Sequence, residues 1–176
     1  MAMTGMKREM FVGGEWVPST SGETEDVLNP ATGEVLATVP RGSEEDVDRA
    51  VAAARRAFDE VWFDTTPGER SGMLLKLADA VDQHAEELAA LESANVGKPR
   101  ATTLSEELPV ISDNLRFFAA GARVLQSQAA GEYMKGFTSM LRREPIGVVQ
   151  AADVDGGHLR PRFRISFQSR RTGCPG

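Results

Sequence analysis

Hydrophobic and polar positions alternate at the start of this chain and then change period. In "MFVGGEWVPS" the alternation suits a short hairpin, with Gly13-Gly14 supplying the positive φ of a tight turn. In "EDVLNPATGEVLATVP" the idea repeats: Asn29 to Gly33 forms a turn between Val27-Leu28 and Val35 to Val39. From Ser43 the spacing becomes helical. Val47, Val51, Ala54, Phe58 and Val61/Trp62 make one apolar stripe, and Ser43 with Asp46 three residues on is a capping box with Asp in place of Glu or Gln. A second start signal follows, with Thr66 as cap, Pro67 at the first helical position and Glu69 at the third. Leu74, Leu77, Ala78 and Val81 form its stripe. Leu88 and Leu91 face inward from a further helix or a continuation through "HAEELAALESAN", which Gly97 and Pro99 stop.

A third helical region covers "SEELPVISDNLRFFAAGARVLQSQ". Its apolar mass comes from Val110, Leu115, Phe117, Phe118, Val124 and Leu125, and Pro109 either kinks it or starts its main section. "GFTSMLRREPIGVV" returns to strand, with Pro145 confined to an edge or a bulge. After Val149 the periodicity fades. "DGG", "RPR" and "RRTGCPG" are breakers and charges, so residues 150–176 are expected to be an irregular tail in which only "FRISF" has anything to pair with.

Charge sharpens that break. The chain has 176 residues and a formal net charge of -6. Residues 1–149 carry 15 Lys+Arg against 24 Asp+Glu, whereas residues 150–176 carry five Arg, no Lys and two Asp. The acidic balance disfavours nucleic acid or an anionic membrane as a partner of the main body. With one cysteine, Cys174, the chain has no intrachain disulfide and no thiolate metal cluster. The N-terminus lacks the apolar run of a secretory signal, and no segment reaches the ~20 apolar residues of a membrane span. The expectation is a soluble, cytoplasmic α/β protein.

Five stretches, "FVGGEWV", "NPATGEVLATVP", "ERSGMLLKLADAVDQHAEELAALESANVGKP", "NLRFFAAGARVL" and "RREPIGVV", resemble in order and spacing the N-terminal portion of the aldehyde dehydrogenase superfamily. The region from Asn114 to Val149 looks most like the branch that oxidises aminoaldehydes such as 4-aminobutyraldehyde, and betaine aldehyde. The resemblance implies an incomplete fold: β-hairpins, three to four helices, an edge strand and the start of a Rossmann-like sheet. Residues 1–149 would be part of an NAD-binding domain with the start of an oligomerisation arm. It also implies NAD or NADP as the cofactor of the full-length family, self-association, and association with a full-length homologue.

In that family "PIGVV" leads to a Pro-Trp-Asn segment whose Asn helps form the oxyanion hole. Here "QAADVDGGHL" follows. The family's Lys-Pro-Ser, Gly-Ser-Thr-x-x-Gly turn, base Glu and Gly-Gln-x-Cys are likewise missing from this sequence, so no catalytic, cofactor-binding or metal-binding residue is assigned and the chain alone is expected to bind no NAD. The Arg- and Gly-rich tail reads as out-of-frame text. A non-catalytic interaction module that binds a full-length relative is the alternative, and a nucleic-acid binder acting through "RPRFRISFQSRR" a weaker one.

The remaining polar candidates have modest readings. Cys174 has Arg170 and Arg171 nearby to depress its pKa but no base placed by any motif. His84 reads as a solvated or cap-region histidine, and His158 as a lone histidine in the tail. Glu92, Glu106 and Glu107 read as solvated helix faces. Asn29 is expected to hold its turn through an Asx hydrogen bond.

Overall fold

The computed structural model describes residues 9–126, 129–141, 143–153 and 162–170. It forms two compact units, each made of two chain segments. One takes the chain up to Val47 together with Thr66–Val124. The other takes Asp48–Thr65 together with the chain from Leu125. This division differs from the expected boundary at residue 149, because packing joins segments that lie far apart in sequence.

The first unit opens with two hairpins. Strands β1 (Met10–Val12) and β2 (Glu15–Val17) pair antiparallel, with Gly13 and Gly14 at φ 65° and 90° in the turn. Phe11 sits opposite Trp16, with ring centroids 5.1 Å apart. Strands β3 (Thr24–Leu28) and β4 (Val35–Pro40) form the second hairpin. At its turn the Asn29 carboxamide oxygen accepts from the Ala31 amide at 2.9 Å, as expected of an Asx turn.

The helices start where their caps stand. In α1 (Glu44–Ala57) Ser43 Oγ accepts from the Asp46 amide and the Ser43 amide donates to Asp46. In α2 (Pro67–Gln83) the Thr66–Glu69 capping box is complete in both directions. His84 separates α2 from α3 (Ala85–Val96), so the apolar run is two helices, and Gly97 ends the second in the left-handed region at φ 76°. A short turn, α4 (Arg100–Thr102), passes through a π-helical turn (Thr103–Glu107) into α5 (Leu108–Val124). Pro109 therefore lies at the second position of α5, directly after the π-helical turn, so the residue that cannot donate to the helical ladder marks where the main helix starts.

Helix α2 packs on α5 through small side chains. Ser71 and Ala78 on α2, and Ser112 and Ala119 on α5, are all buried. Each pair is seven residues apart, two helical turns, so small groups face small groups and the helices approach closely. The larger apolar residues are placed elsewhere: Leu77, expected to face inward, is exposed, as are Phe117, Phe118 and Val124.

In the second unit α1 runs straight into a π-helical turn (Phe58–Trp62), which buries Phe58 and leaves Val61 exposed. A five-residue turn rotates the stripe, so Val61 departs from the face that uninterrupted 3.6-residue spacing assigns it. Strands β5 (Ala129–Met134) and β6 (Phe137–Met140) form a hairpin. The sequence pattern carries the helix on through Leu125 and Gln126, but α5 ends at Val124; Ser127 and Gln128 lie outside the described residues.

The last hairpin corrects the reading of the tail. Strand β7 (Glu144–Asp153) does not stop at Val149, and Arg162–Arg170 forms β8, paired antiparallel with it along its length. The reason is visible in "RFRISFQSR", where Phe163, Ile165 and Phe167 recur with period two and an unpaired β7 offers a ladder to meet. The register places Phe163, Ile165 and Phe167 opposite Ala152, Gln150 and Val148. It also sets Asp153 opposite Arg162 and Glu144 opposite Arg170. The pairing slips between Pro145 and Gly147, which is the bulge expected of a strand proline.

Candidate functional site

Three polar clusters stand out, all in the first unit. The tightest surrounds Asp46, which is only 3% exposed. Its carboxylate accepts from Ser19 Oγ at 2.7 Å, the Thr20 amide at 3.1 Å, and the amide and hydroxyl of Ser43 at 3.0 Å each. The Ser43 amide, followed by the Ser19 hydroxyl and the Thr20 amide, holds the carboxyl well below the usual range, against the opposing effect of burial. One side chain thus caps α1 and ties down the segment between β2 and β3. Sequence spacing exposed the Ser43–Asp46 box. It carried no sign of Ser19 and Thr20, which lie more than twenty residues away.

In the second cluster Arg116 on α5 donates to Asp79 and Asp82 on α2 at 2.8 Å each. Asp82 is lowered chiefly by Arg116 and then by Ser112, and Arg116 is raised by Asp82 and Asp79. In the third, Lys98 Nζ meets both oxygens of Glu107 at 2.8 and 2.9 Å, with Glu92 at 3.8 Å. Glu107 first, then Glu92, raises the lysine. Glu92 and Glu107 are therefore brought together, although Glu106 is simply exposed. The only early signal was acids on helices; the cation that joins Glu92 and Glu107 lies beyond the helix stop at Gly97.

These arrangements fix charges and do not activate them. Asp46, Asp82, Lys98 and Arg116 are each held toward the ionised form, whereas a general base or nucleophile needs a pKa pulled toward neutrality. His84 is exposed, with Nδ1 3.3 Å from Glu87, and fits the solvated reading. Among the described residues no group of three His, Cys, Asp or Glu side chains is arranged to hold a metal. Cys174 and His158 lie outside the described residues.

The residues described here do not fit a dinucleotide. Such a cofactor lies across a parallel strand–turn–helix unit, its phosphates at a helix N-terminus free to receive them. Every strand pair described here is antiparallel. The starts of α1, α2 and α3 already carry Asp46, Glu69 and Glu86-Glu87, negative charge where a phosphate would need to sit.

What the fold does match is specific. Residues 16–152 match the aldehyde dehydrogenase family. Aldehyde dehydrogenase 1 of Tanacetum cinerariifolium is 42% identical over 154 residues, which cover 87% of this chain and 29% of that protein. Among solved structures, betaine aldehyde dehydrogenase from Staphylococcus aureus in complex with NAD+ superposes with a TM-score of 0.78 at 30% identity, covering 82% of this chain and 29% of the other. Aldehyde dehydrogenase from Bacillus cereus gives 0.76 at 37% identity, covering 82% and 30%. Hairpins, capped helices and a closing strand pair in this order define an α/β segment. This chain belongs to the aldehyde dehydrogenase family, and it spans about three-tenths of the length of the relatives it matches. No helix among the described residues is long and apolar enough to cross a membrane.

Proposed function

We propose that this chain is the N-terminal structural segment of an NAD(P)-dependent aldehyde dehydrogenase that oxidises an aldehyde to its carboxylic acid, and that the chain by itself is inactive. The observation that carries the reading is the match over residues 16–152, which takes in the helices and the β3–β4 and β5–β6 hairpins but no thiol, since Cys174 is the chain's single cysteine. Aldehyde oxidation needs a thiolate to form a thiohemiacetal, donors for the oxyanion, a base for the deacylating water and a nicotinamide in hydride range. The chain's own clusters at Asp46, Lys98 and Arg116 hold helices and loops in place instead. An aminoaldehyde such as 4-aminobutyraldehyde is the proposed substrate class of the complete enzyme, supported by the stretch from Asn114 to Val149 and by the likeness to a betaine aldehyde dehydrogenase. A cytoplasmic location and association with a full-length homologue belong to the same reading.

Calorimetric titration of the purified chain with NAD is expected to give no saturable heat up to ~1 mM, since the nucleotide-binding unit is not built. A micromolar dissociation constant overturns the reading. Sequencing the locus tests the origin of residues 150–176: Pro-Trp-Asn and a later Gly-Gln-x-Cys in an adjacent frame identify a frameshift. The antiparallel pairing of β8 with β7 favours the second reading, in which those residues are a native part of an interaction module. A locus without those motifs supports it.

A further inference from the structure

From Arg100 to Val124 the buried residues are Thr103, Leu108, Ser112 and Ala119. Leu108, Ser112 and Ala119 follow at steps of four and seven, the spacing of one α-helical face. The step of five from Thr103 to Leu108 does not belong to that face. At 100° per residue it leaves the two side chains about 140° apart. The π-helical turn removes the discrepancy: the Leu108 amide donates to the Thr103 carbonyl, five residues back, so Thr103 lies one wide turn below Leu108 and shares its face.

That place costs Thr103 a hydrogen bond. Its Oγ1 is buried with no partner among the described residues, whereas the exposed Ser105 hydroxyl donates to the Ala101 carbonyl at 2.9 Å. A straight α-helix through the same residues would turn Thr103 outward, where water satisfies its hydroxyl. Pro109 excludes that helix. It is second in α5, but the helical run begins upstream at Arg100, with Thr103 and Leu108 both in the right-handed helical region. In a straight helix the Pro109 ring would press on the Ser105 carbonyl and offer it no amide.

We propose that Pro109 is a conformational lock: it holds the segment in the π-turned form with Thr103 buried, and shuts out a straight form with Thr103 exposed. The lock also sets a charge pair. Lys98 precedes the turn and Glu107 ends it, and the two are bonded in the π-turned form. Straightening takes up one residue, which rotates the two ends by about 100° and parts them.

Thiol labelling of the 176-residue chain tests this. In a Cys174→Ser background, Thr103→Cys should be protected, and adding Pro109→Ala should speed its labelling at least tenfold. Ala119→Cys, on the same face further along α5, should stay protected with either residue at 109. Unchanged protection of Thr103→Cys overturns the proposal. If both thiols open together, deletion of Glu106 decides, because it puts Thr103 and Leu108 four residues apart and makes the straight helix the one that buries both. With Pro109 present, that deletion should lower the urea midpoint by roughly 1 M or more, since the ring then meets the Leu104 carbonyl. With Pro109→Ala it should leave the midpoint level or raise it. An equal loss in both chains overturns the proposal.

Discussion

Gly97 and Pro30 meet so closely that a methyl group on Gly97 would stand 2.9 Å from the proline Cγ. The contact joins the end of α3 to the turn between β3 and β4, and Gly97 makes it while holding φ at 76° to close the helix. Two demands fall on one residue: a left-handed backbone and the absence of a side chain.

Gly97→Ala should therefore cost about 2 kcal/mol, since an L-residue in the left-handed region loses about 1–2 and the ring has to shift as well. Gly33→Asn is the control. Gly33 has φ 74°, nothing within 4 Å of an added Cβ, and a conformation that asparagine tolerates. Urea denaturation of both should separate them clearly; equal costs would remove the steric argument.

Asp46 predicts a pH dependence. Its folded pKa is depressed, so its contribution is fully present above the unfolded value of about 3.9 and is lost as pH falls through the folded value. The urea midpoint should fall as pH drops below about 4. Asp46→Asn should have a lower midpoint at pH 7 and a shallower fall on acidification. Parallel profiles for the two proteins would assign the acid sensitivity to other carboxylates. Glu69 and Asp82, lowered in the same direction, are the alternatives.

Thr103 predicts a gain. Its Oγ1 is buried with no hydrogen-bond partner among the described residues. Thr103→Val keeps the shape and removes an unsatisfied hydroxyl, whose burial costs about 1–3 kcal/mol. A thermal midpoint equal to or above that of the parent is expected, and a fall of several degrees would mean the hydroxyl is satisfied in solution.

The β7–β8 hairpin predicts protection. Alternate backbone amides of residues 147–153, those that point to β8, should exchange at least tenfold more slowly in the full chain than in one ending at Asp153. Equal rates would return residues 162–170 to the irregular state that their charge and composition suggest.

The capped helices and first two hairpins were legible because their signals are local. Thr66, Pro67 and Glu69 announce α2 within four residues, and Asn29 closes its turn with the amide two positions on. What stayed hidden depends on distance. Nothing near Asp46 in sequence points to Ser19, and nothing near Arg116 points to Asp79. The π-helical turn at Phe58 was invisible for another reason: residues 47–62 keep an apolar stripe that a continuous α-helix serves equally well. In the tail, five arginines masked the period-two pattern of Phe163, Ile165 and Phe167. The clusters found at Asp46, Lys98 and Arg116 join segments far apart in sequence, so no local motif announces them.

The split of each compact unit into two chain segments has a consequence for synthesis. Arg55 reaches the neighbourhood of Gly147, whose added Cβ would lie 3.9 Å from its guanidinium. On the ribosome, Arg55 is made more than ninety residues earlier. At about 5–20 residues per second that interval is about 5–20 s. Through it the segment Asp48–Thr65, with Val51, Phe58 and Val61, waits without the strands that complete its unit. The nascent chain is thus barest to chaperones near its beginning, and a slow codon run between Val124 and Gly147 would lengthen that interval.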